Sequence, residues 1–123
     1  MAAPDPAHIR DVYQRYVELF SAGDADAVAL LYAEDATVED PIGSPLHQGR
    51  DAIRKFYEGT MGPAKLELTG PVRVAGNEAA GPMCATVGDG AAFIDIIDVM
   101  TFDDDGLVRS MRAYWSEDAI RTP

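Results

Sequence analysis

The sequence contains few of the residues that build disulfide frameworks and metal sites. Its 123 residues include a single cysteine, Cys84, so no internal disulfide can form, and a lone cysteine fits a reducing, cytoplasmic setting. The two histidines, His8 and His47, are far apart along the chain, and no second cysteine is present. Because zinc sites use histidine and cysteine at close spacing, no metal site is expected.

Positive charge is also scarce, since 10 lysines and arginines stand against 21 aspartates and glutamates. The formal net charge of -11 at pH 7 would repel phosphate backbones and anionic lipid headgroups. We therefore expect neither nucleic acid nor a membrane as a partner. The excess of acidic residues is interpreted as a source of solubility rather than as a functional acidic patch.

Long apolar runs and common cofactor motifs are missing as well. No stretch approaches the roughly 20 apolar residues of a membrane-spanning helix, and Met1–Arg10 lacks the basic and apolar regions of a secretory signal. There is no glycine-rich phosphate loop and no Gly-x-Ser-x-Gly motif. A calcium loop is excluded because Thr101 and Arg112 would be its first and twelfth ligands. The chemistry that remains is acid–base work by carboxylates and phenols.

The apolar share of 47% is enough for one core in a chain of this length, so all 123 residues are expected to form a single domain. Asp5 followed by Pro6 predicts a helix start, because aspartate caps helices and proline fits the first helical position. Apolar residues then recur at helical spacing until Gly23. Two further helices are predicted over 26–33 and 50–60.

The second half of the chain has the pattern of strands separated by turns, with Gly76-Asn77 and Asp104-Asp105-Gly106 among the turn signals. Helices followed by a run of hairpin strands predict an α+β fold, with the helices packed on one face of a curved antiparallel sheet. The predicted strands span 36–40, 65–69, 72–75, 78–87, 91–102 and 107–115.

One strand carries an acidic residue in an apolar row. Because side chains alternate between faces, Asp98 shares a face with Ile96 and Met100. A carboxylate there must find a strong partner or stay protonated, and a protonated acid can donate a hydrogen bond to an oxyanion. The pattern also fits an Asp98 that bonds to nearby backbone or faces solvent. Asp95, on the opposite face of the strand, is a second candidate.

Other candidates for acid–base chemistry are a tyrosine and an aspartate. Tyr16 lies on the buried stripe of the first helix, either as a core residue or as a neutral donor that points into a cavity. Asp40 ends a predicted strand before Pro41, where it fits a general base at a cleft edge or an aspartate that simply starts the turn. Tyr57 and Tyr32 are candidates for the same polar network.

Five stretches together resemble bacterial ketosteroid isomerase (steroid Δ5-isomerase), a family of the nuclear-transport-factor-like fold superfamily. The most specific features are VEDPIGSP (38–45), the Arg15-Tyr16 pair and IDVM (97–100). The resemblance implies a conical α+β fold, in which a curved mixed or antiparallel sheet and three helices enclose an apolar cavity. It also implies a homodimer formed through the sheet and chemistry without a cofactor. The matching stretches are QRYVELFSAGD (14–24), YAEDATVEDPIGSP (32–45), AIRKFY (52–57), IDVMTFDDDG (97–106) and SMRAYWSE (110–117).

The resemblance also assigns roles to individual residues. Asp40 matches the general base of the family, and Tyr16 and Asp98 match its two oxyanion donors, which favours Asp98 over Asp95. Tyr57 and Tyr32 match tyrosines that form a hydrogen-bonded chain behind the first donor in some members. The positions that match the lining of the steroid cavity are Phe56, Met111, Ala113 and Trp115.

The implied reaction converts a 3-oxo-Δ5 steroid into the conjugated 3-oxo-Δ4 isomer by moving one proton through a dienolate. Two alternatives are another enzyme on the same fold, such as a dehydratase or epoxide hydrolase, and a non-catalytic module that binds apolar ligands. The first alternative is disfavoured because such enzymes commonly use a histidine–aspartate pair or a cluster that positions water, and His8 and His47 are poorly placed for it. An acid on an apolar strand face disfavours the second, because a binding module gains nothing from it.

Overall fold

The structure is a computed structural model that describes residues 4–123. Residues 1–3, which belong to the predicted single domain and to the stretch used to test for a secretory signal, lie outside the described residues. Residues 4–123 form three α-helices and one eight-stranded sheet. None of the described helices is long and apolar enough to cross a membrane.

The helices are α1 (Pro6–Ser21), α2 (Ala25–Ala29) and α3 (Arg50–Met61). The predicted start of α1 is confirmed, because the Asp5 carboxylate accepts a hydrogen bond from the backbone N–H of Ala7 at 2.8 Å. The prediction for α2 is too long, since that helix stops before Leu30.

The strands are β1 (Tyr32–Glu39), β2 (His47–Gln48), β3 (Lys65–Leu68), β4 (Arg73–Ala75), β5 (Glu78–Val87), β6 (Ala92–Phe102), β7 (Val108–Tyr114) and β8 (Ile120–Arg121). They form a sheet in the order β2-β1-β7-β6-β5-β3, with β4 added to β5 and β8 added to β6. The strand pairs are antiparallel except β1 with β7, which is parallel, so the sheet is mixed.

The parallel pair explains why Tyr32 is in a strand and not in the predicted second helix. Tyr32 lies opposite Val108 in β7, and the backbone N–H of Val108 donates to the carbonyl of Leu31 at 2.9 Å. An aromatic residue has a strand preference that this pairing can satisfy. Sheet pairing across some 75 residues of sequence thus overrides the local helical pattern.

The core lies between α1 and α3 on one side and the inward row of β6 on the other. Within that row Asp98, Met100 and Phe102 are buried, and Asp98 is the one residue with an ionisable carboxyl group among the buried residues of the described chain. Tyr13 of α1 is fully buried, and its hydroxyl group lies 2.9 Å from the carbonyl of Ala79 and 3.0 Å from that of Asp98. This contact fixes α1 against the middle of the sheet.

The docking of α1 depends on a glycine in β5. A Cβ atom at Gly81 would lie 2.7 and 2.8 Å from ring carbons of Tyr13, closer than side chains tolerate. We predict that Gly81→Ala lowers the free energy of unfolding by about 1–3 kcal/mol, because it overpacks a closed core.

The matched control is Gly59→Ala in α3, where an added Cβ meets no atom within 4 Å. There the change should be stabilising by about 0.5–1 kcal/mol, because alanine favours the helix over glycine. Chemical denaturation of both variants provides the measurement. Equal effects at the two positions would show that the Tyr13 ring moves aside and that this contact does not fix α1.

Candidate active site

A cavity of about 220 Å³ lies between the helices and the inward face of the sheet. It brings together three residues predicted from the sequence: Tyr16 from α1, Asp40 just after β1, and Asp98 from β6. Most of the remaining lining is apolar. The other lining residues are Phe20, Thr60, Ala64, Leu66, Met83, Ala85, Val87, Ile94, Ile96 and Trp115.

Asp98 is an acid held in apolar surroundings. It is only 2% exposed, and it lies opposite Gly81 in β5 and Ala113 in β7. Burial, and secondarily the nearby charge of Asp40, raise the pKa of Asp98 well above its ordinary range, with no hydrogen bond from a described residue to oppose them. These surroundings favour the protonated form of Asp98, which is a hydrogen-bond donor at the cavity.

The alternative aspartate of the same strand faces the other way. Asp95 lies on the outer face of the sheet, where both of its carboxylate oxygens accept hydrogen bonds from the Arg121 guanidinium at 2.7 and 3.0 Å. That pairing lowers the pKa of Asp95. The structure therefore places Asp98, and not Asp95, at the cavity.

Three tyrosines form a hydrogen-bonded chain that ends at the cavity. The hydroxyl oxygens of Tyr32 and Tyr57 are 2.6 Å apart, and those of Tyr57 and Tyr16 are 3.1 Å apart. Burial is the main cause that raises the pKa of all three well above the ordinary tyrosine value, so each stays neutral.

The chain of hydroxyl groups can be directed toward the cavity. Each hydroxyl has one proton to donate. If Tyr32 donates to Tyr57 and Tyr57 donates to Tyr16, the Tyr16 proton is free for a ligand. Such a chain polarises its last member and strengthens the bond that it donates.

Asp40 is half-buried at the edge of the cavity. Its Oδ1 atom accepts a hydrogen bond from the indole Nε1–H of Trp115 at 2.9 Å. The pKa of Asp40 is raised, mainly by burial, and the hydrogen bond from Trp115 and the nearby His47 partly offset this effect. The backbone N–H of Ile42 donates to the carbonyl of Ala113 at 3.0 Å, which ties the loop after Asp40 to β7.

The arrangement supplies one carboxylate and two neutral donors around an apolar space. The protonated form of Asp98 is favoured, because two negative charges in one poorly hydrated cavity would be costly. Asp40 keeps a hydrogen bond that stabilises its ionised form and is the better candidate for a base. Chemically, the site can remove a proton from a ligand and stabilise the resulting negative charge.

Of the four residues predicted to line the cavity, Trp115 does so. Met111 and Ala113 are 0% and 1% exposed and belong to the packed core next to it. The ring of Phe56 packs 4.5 Å from that of His47 and 5.0 Å from that of Tyr57, and is not among the lining residues. Alternation along β7 correctly gives the inward face, but it does not tell which inward residues remain uncovered.

Several lining residues, and one hydrogen bond, were not identified from the sequence. Leu66, Met83 and Val87 come from β3 and β5, and nothing in their local pattern distinguishes them from ordinary core residues. Thr60 is an exposed polar residue near the end of α3, and its local pattern does not indicate a cavity. The bond from Trp115 to Asp40 joins residues 75 positions apart. Among residues 4–123, no three His, Cys, Asp or Glu side chains lie close enough together to hold a metal ion.

A family model and a curated relative both match most of the chain. Residues 13–119 match the SnoaL-like domain. The chain is 43% identical to a steroid Δ-isomerase of Nocardioides simplex over 121 residues, which cover 95% of this chain and 98% of the relative.

Two epoxide-converting proteins are more distant matches. The epoxide hydrolase LasB of Streptomyces lasalocidi is 28% identical over 92% of this chain, and the match spans about half of that protein (49%). Among solved structures, the epoxide hydrolase/cyclase-like enzyme SalBIII, with a role in pyran ring formation in the polyether salinomycin, superposes with a TM-score of 0.86. It is 26% identical, and the match covers 97% of this chain and 98% of SalBIII.

Trp115 is the single tryptophan of the chain, so its fluorescence reports on Asp40 directly. We predict that the emission of the native protein titrates in the acid range with a midpoint above the ordinary aspartate value of about 3.9, because burial outweighs the hydrogen bond in setting the Asp40 pKa.

The control is Asp40→Asn, in which this transition should vanish, and circular dichroism should show that the fold persists across the range. A transition that survives in Asp40→Asn, or one with a midpoint at or below about 3.9, would contradict the raised pKa of Asp40.

Proposed function

The chain belongs to the SnoaL-like domain family and, within it, to the steroid Δ-isomerases, and we propose that it converts 3-oxo-Δ5 steroids into 3-oxo-Δ4 steroids. It is an isomerase, and the proposal concerns its substrate and its mechanism. The observation that carries the proposal is the pair of carboxyl groups in one cavity, one half-buried and hydrogen-bonded, the other buried without a hydrogen bond from a described residue.

Asp40 is the proposed base. Its carboxylate takes a proton from carbon 4 of the steroid, and the electrons of that C–H bond move toward the 3-keto oxygen to form a dienolate. Asp40 then returns the same proton to carbon 6, which leaves the double bond in conjugation with the ketone. The short aspartate stem, at the edge of the cavity, supports access to both carbons.

Tyr16 and Asp98 are the proposed donors to the steroid oxygen. Both line the cavity, and both have pKa values raised by burial, so each retains its proton while negative charge develops on the oxygen. Tyr57 and Tyr32 support Tyr16 through their hydrogen-bonded chain. A single proton moves in this scheme, from carbon 4 of the substrate to Asp40 and then to carbon 6. The scheme therefore requires neither a metal nor a cofactor.

Asp40→Asn tests the base. The variant keeps the size of the side chain but cannot accept a proton from carbon, so kcat should fall by about 10²–10⁴-fold. Affinity for the 3-oxo-Δ4 product should remain, because the apolar lining and both donors are unchanged. The assay follows the conjugated-enone absorbance that forms from a 3-oxo-Δ5 steroid. The matched control is Asp35→Asn, an exposed aspartate of the same β1 strand, and near-native turnover of Asp40→Asn would exclude Asp40 as the base.

Opening of an epoxide by an internal hydroxyl group is a second candidate function, which we propose from the same pair of carboxyl groups. Asp40 would accept the hydroxyl proton as the new C–O bond forms. The epoxide C–O bond would break, and its oxygen would take the proton of Asp98. The likeness to LasB and SalBIII supports this possibility.

Asp98→Asn distinguishes the two functions. The amide can still donate a hydrogen bond to an oxyanion but cannot release a proton, so isomerisation should fall by less than about 10-fold, and epoxide opening by about 10²–10⁴-fold. The measurement compares turnover of a 3-oxo-Δ5 steroid with cyclisation of a hydroxy-epoxide. If the unaltered protein does not cyclise the hydroxy-epoxide, the second candidate is excluded and the first is unaffected.

Two broader proposals concern assembly and location. Ile97 and Tyr114 are neighbours on the outer face of the sheet and are 48% and 44% exposed, which supports a homodimer formed through that face. The single cysteine, with no disulfide possible within the chain, supports a cytoplasmic location.

A further inference from the structure

The segment 115–121 connects the cavity to the outer face of the sheet. It begins at Trp115, which lines the cavity and donates to Asp40. A short 3₁₀ turn at Glu117–Ala119 follows, and the segment ends in β8. Whatever holds β8 in place therefore restricts the position of the Trp115 indole.

The backbone pairing of β8 is too short to hold the segment firmly by itself. It pairs with β6 at two positions only, Phe93 with Arg121 and Ile94 with Ile120. Hydrogen bonds at the exposed end of a sheet compete with water, and each contributes only about 0.5–1.5 kcal/mol net. A side-chain contact is needed for a single defined position.

Arg121 provides that contact. Its Nε and Nη2 atoms donate to the two carboxylate oxygens of Asp95 at 2.7 and 3.0 Å, a bidentate arrangement. The guanidinium carbon lies 5.4 Å from the centre of the Phe93 ring, and Nη2 is 3.7 Å from the sulfur of Cys84. Arg121 thus contacts side chains of both β5 and β6.

The strength of the pair is modest, because the two side chains are 56% and 54% exposed. Exposed ion pairs contribute little to global stability. The bidentate geometry and the aromatic ring below the guanidinium nevertheless select one orientation for β8. We therefore attribute to Arg121 an effect on the position of β8 rather than on the global stability of the protein.

We propose that Arg121 is a positioning residue, which clamps β8 to Asp95 and thereby holds the Trp115 indole against the Asp40 carboxylate. The proposal rests on the role of Asp40 as the base. It assigns a function in catalysis to an ion pair on the opposite face of the sheet from the cavity.

Several groups around Asp40 determine how its pKa changes when the ion pair between Arg121 and Asp95 is lost. Trp115 and His47 favour its ionised form. The buried Asp98 of β6 and the tyrosine chain of α1, β1 and α3 would stay in place, because the segment 115–121 does not carry them. Loss of the Trp115 hydrogen bond alone would raise the pKa of Asp40.

Arg121→Met tests the proposal, with Arg109→Met as its matched control. Arg109 is an exposed arginine of β7, so its replacement removes the same charge from the same sheet but leaves the clamp intact. In Arg121→Met the Trp115 emission should shift to the red and become more accessible to a soluble quencher. The emission titration of Asp40 should move upward by up to about 0.5 pH unit, and kcat should fall roughly 2- to 5-fold with little change in KM.

A rescue variant separates the clamp from other effects of Arg121. Asp95→Arg combined with Arg121→Glu reverses the pair and should restore the emission, the titration midpoint and kcat toward native values. The mass in solution and the free energy of unfolding are measured for every variant.

The clamp is excluded if Arg121→Met and Arg109→Met give the same emission and titration midpoint, or if activity is lost only together with dimerisation or folding. The fluorescence measurements need no steroid. If Arg121→Met changes the emission and the titration midpoint as expected, but the protein shows no isomerase activity, the proposed substrate is rejected. The positioning of Trp115 beside Asp40 is then still supported.

Discussion

The chemistry of this fold depends on the cost of placing two carboxyl groups in one small apolar cavity. Asp98 is buried without a hydrogen bond from a described residue, and the nearby Asp40 makes a second charge there still less favourable. Asp40 lies at the edge and has the Trp115 indole to stabilise its charge. Under the proposed mechanism, this difference in surroundings lets two identical side chains act as an acid and a base.

That division requires the surrounding elements to hold their positions closely. Tyr13, one turn before Tyr16, reaches the backbone of both β5 and β6, and Gly81 leaves room for its ring. The same contact that packs α1 on the sheet therefore sets where the Tyr16 hydroxyl enters the cavity. Core packing and site geometry are therefore coupled in this region, because a shift of α1 would also move the Tyr16 hydroxyl group.

Much of the candidate site could be predicted from local sequence. Alternation along β6 places Asp98 and Asp95 on opposite faces, and helical periodicity places Tyr16 on the buried stripe of α1. The choice between the two aspartates could not be made from the pattern, because Ile97 and Val99 make the outer face apolar too. The structure decides it through burial of Asp98 and the pairing of Asp95 with Arg121.

The helix start at Asp5 and the alternation of side chains along the long strands follow from interactions within a few residues, so the sequence predicts them. The order of these helical and strand patterns also predicts the α+β architecture. The strand conformation of Tyr32, the parallel pairing of β1 with β7 and the contact of Trp115 with Asp40 depend on the folded chain. Those contacts join residues about 75 positions apart. Their free energy comes from burial and pairing that exist only after the chain has closed on itself, so no local pattern records them.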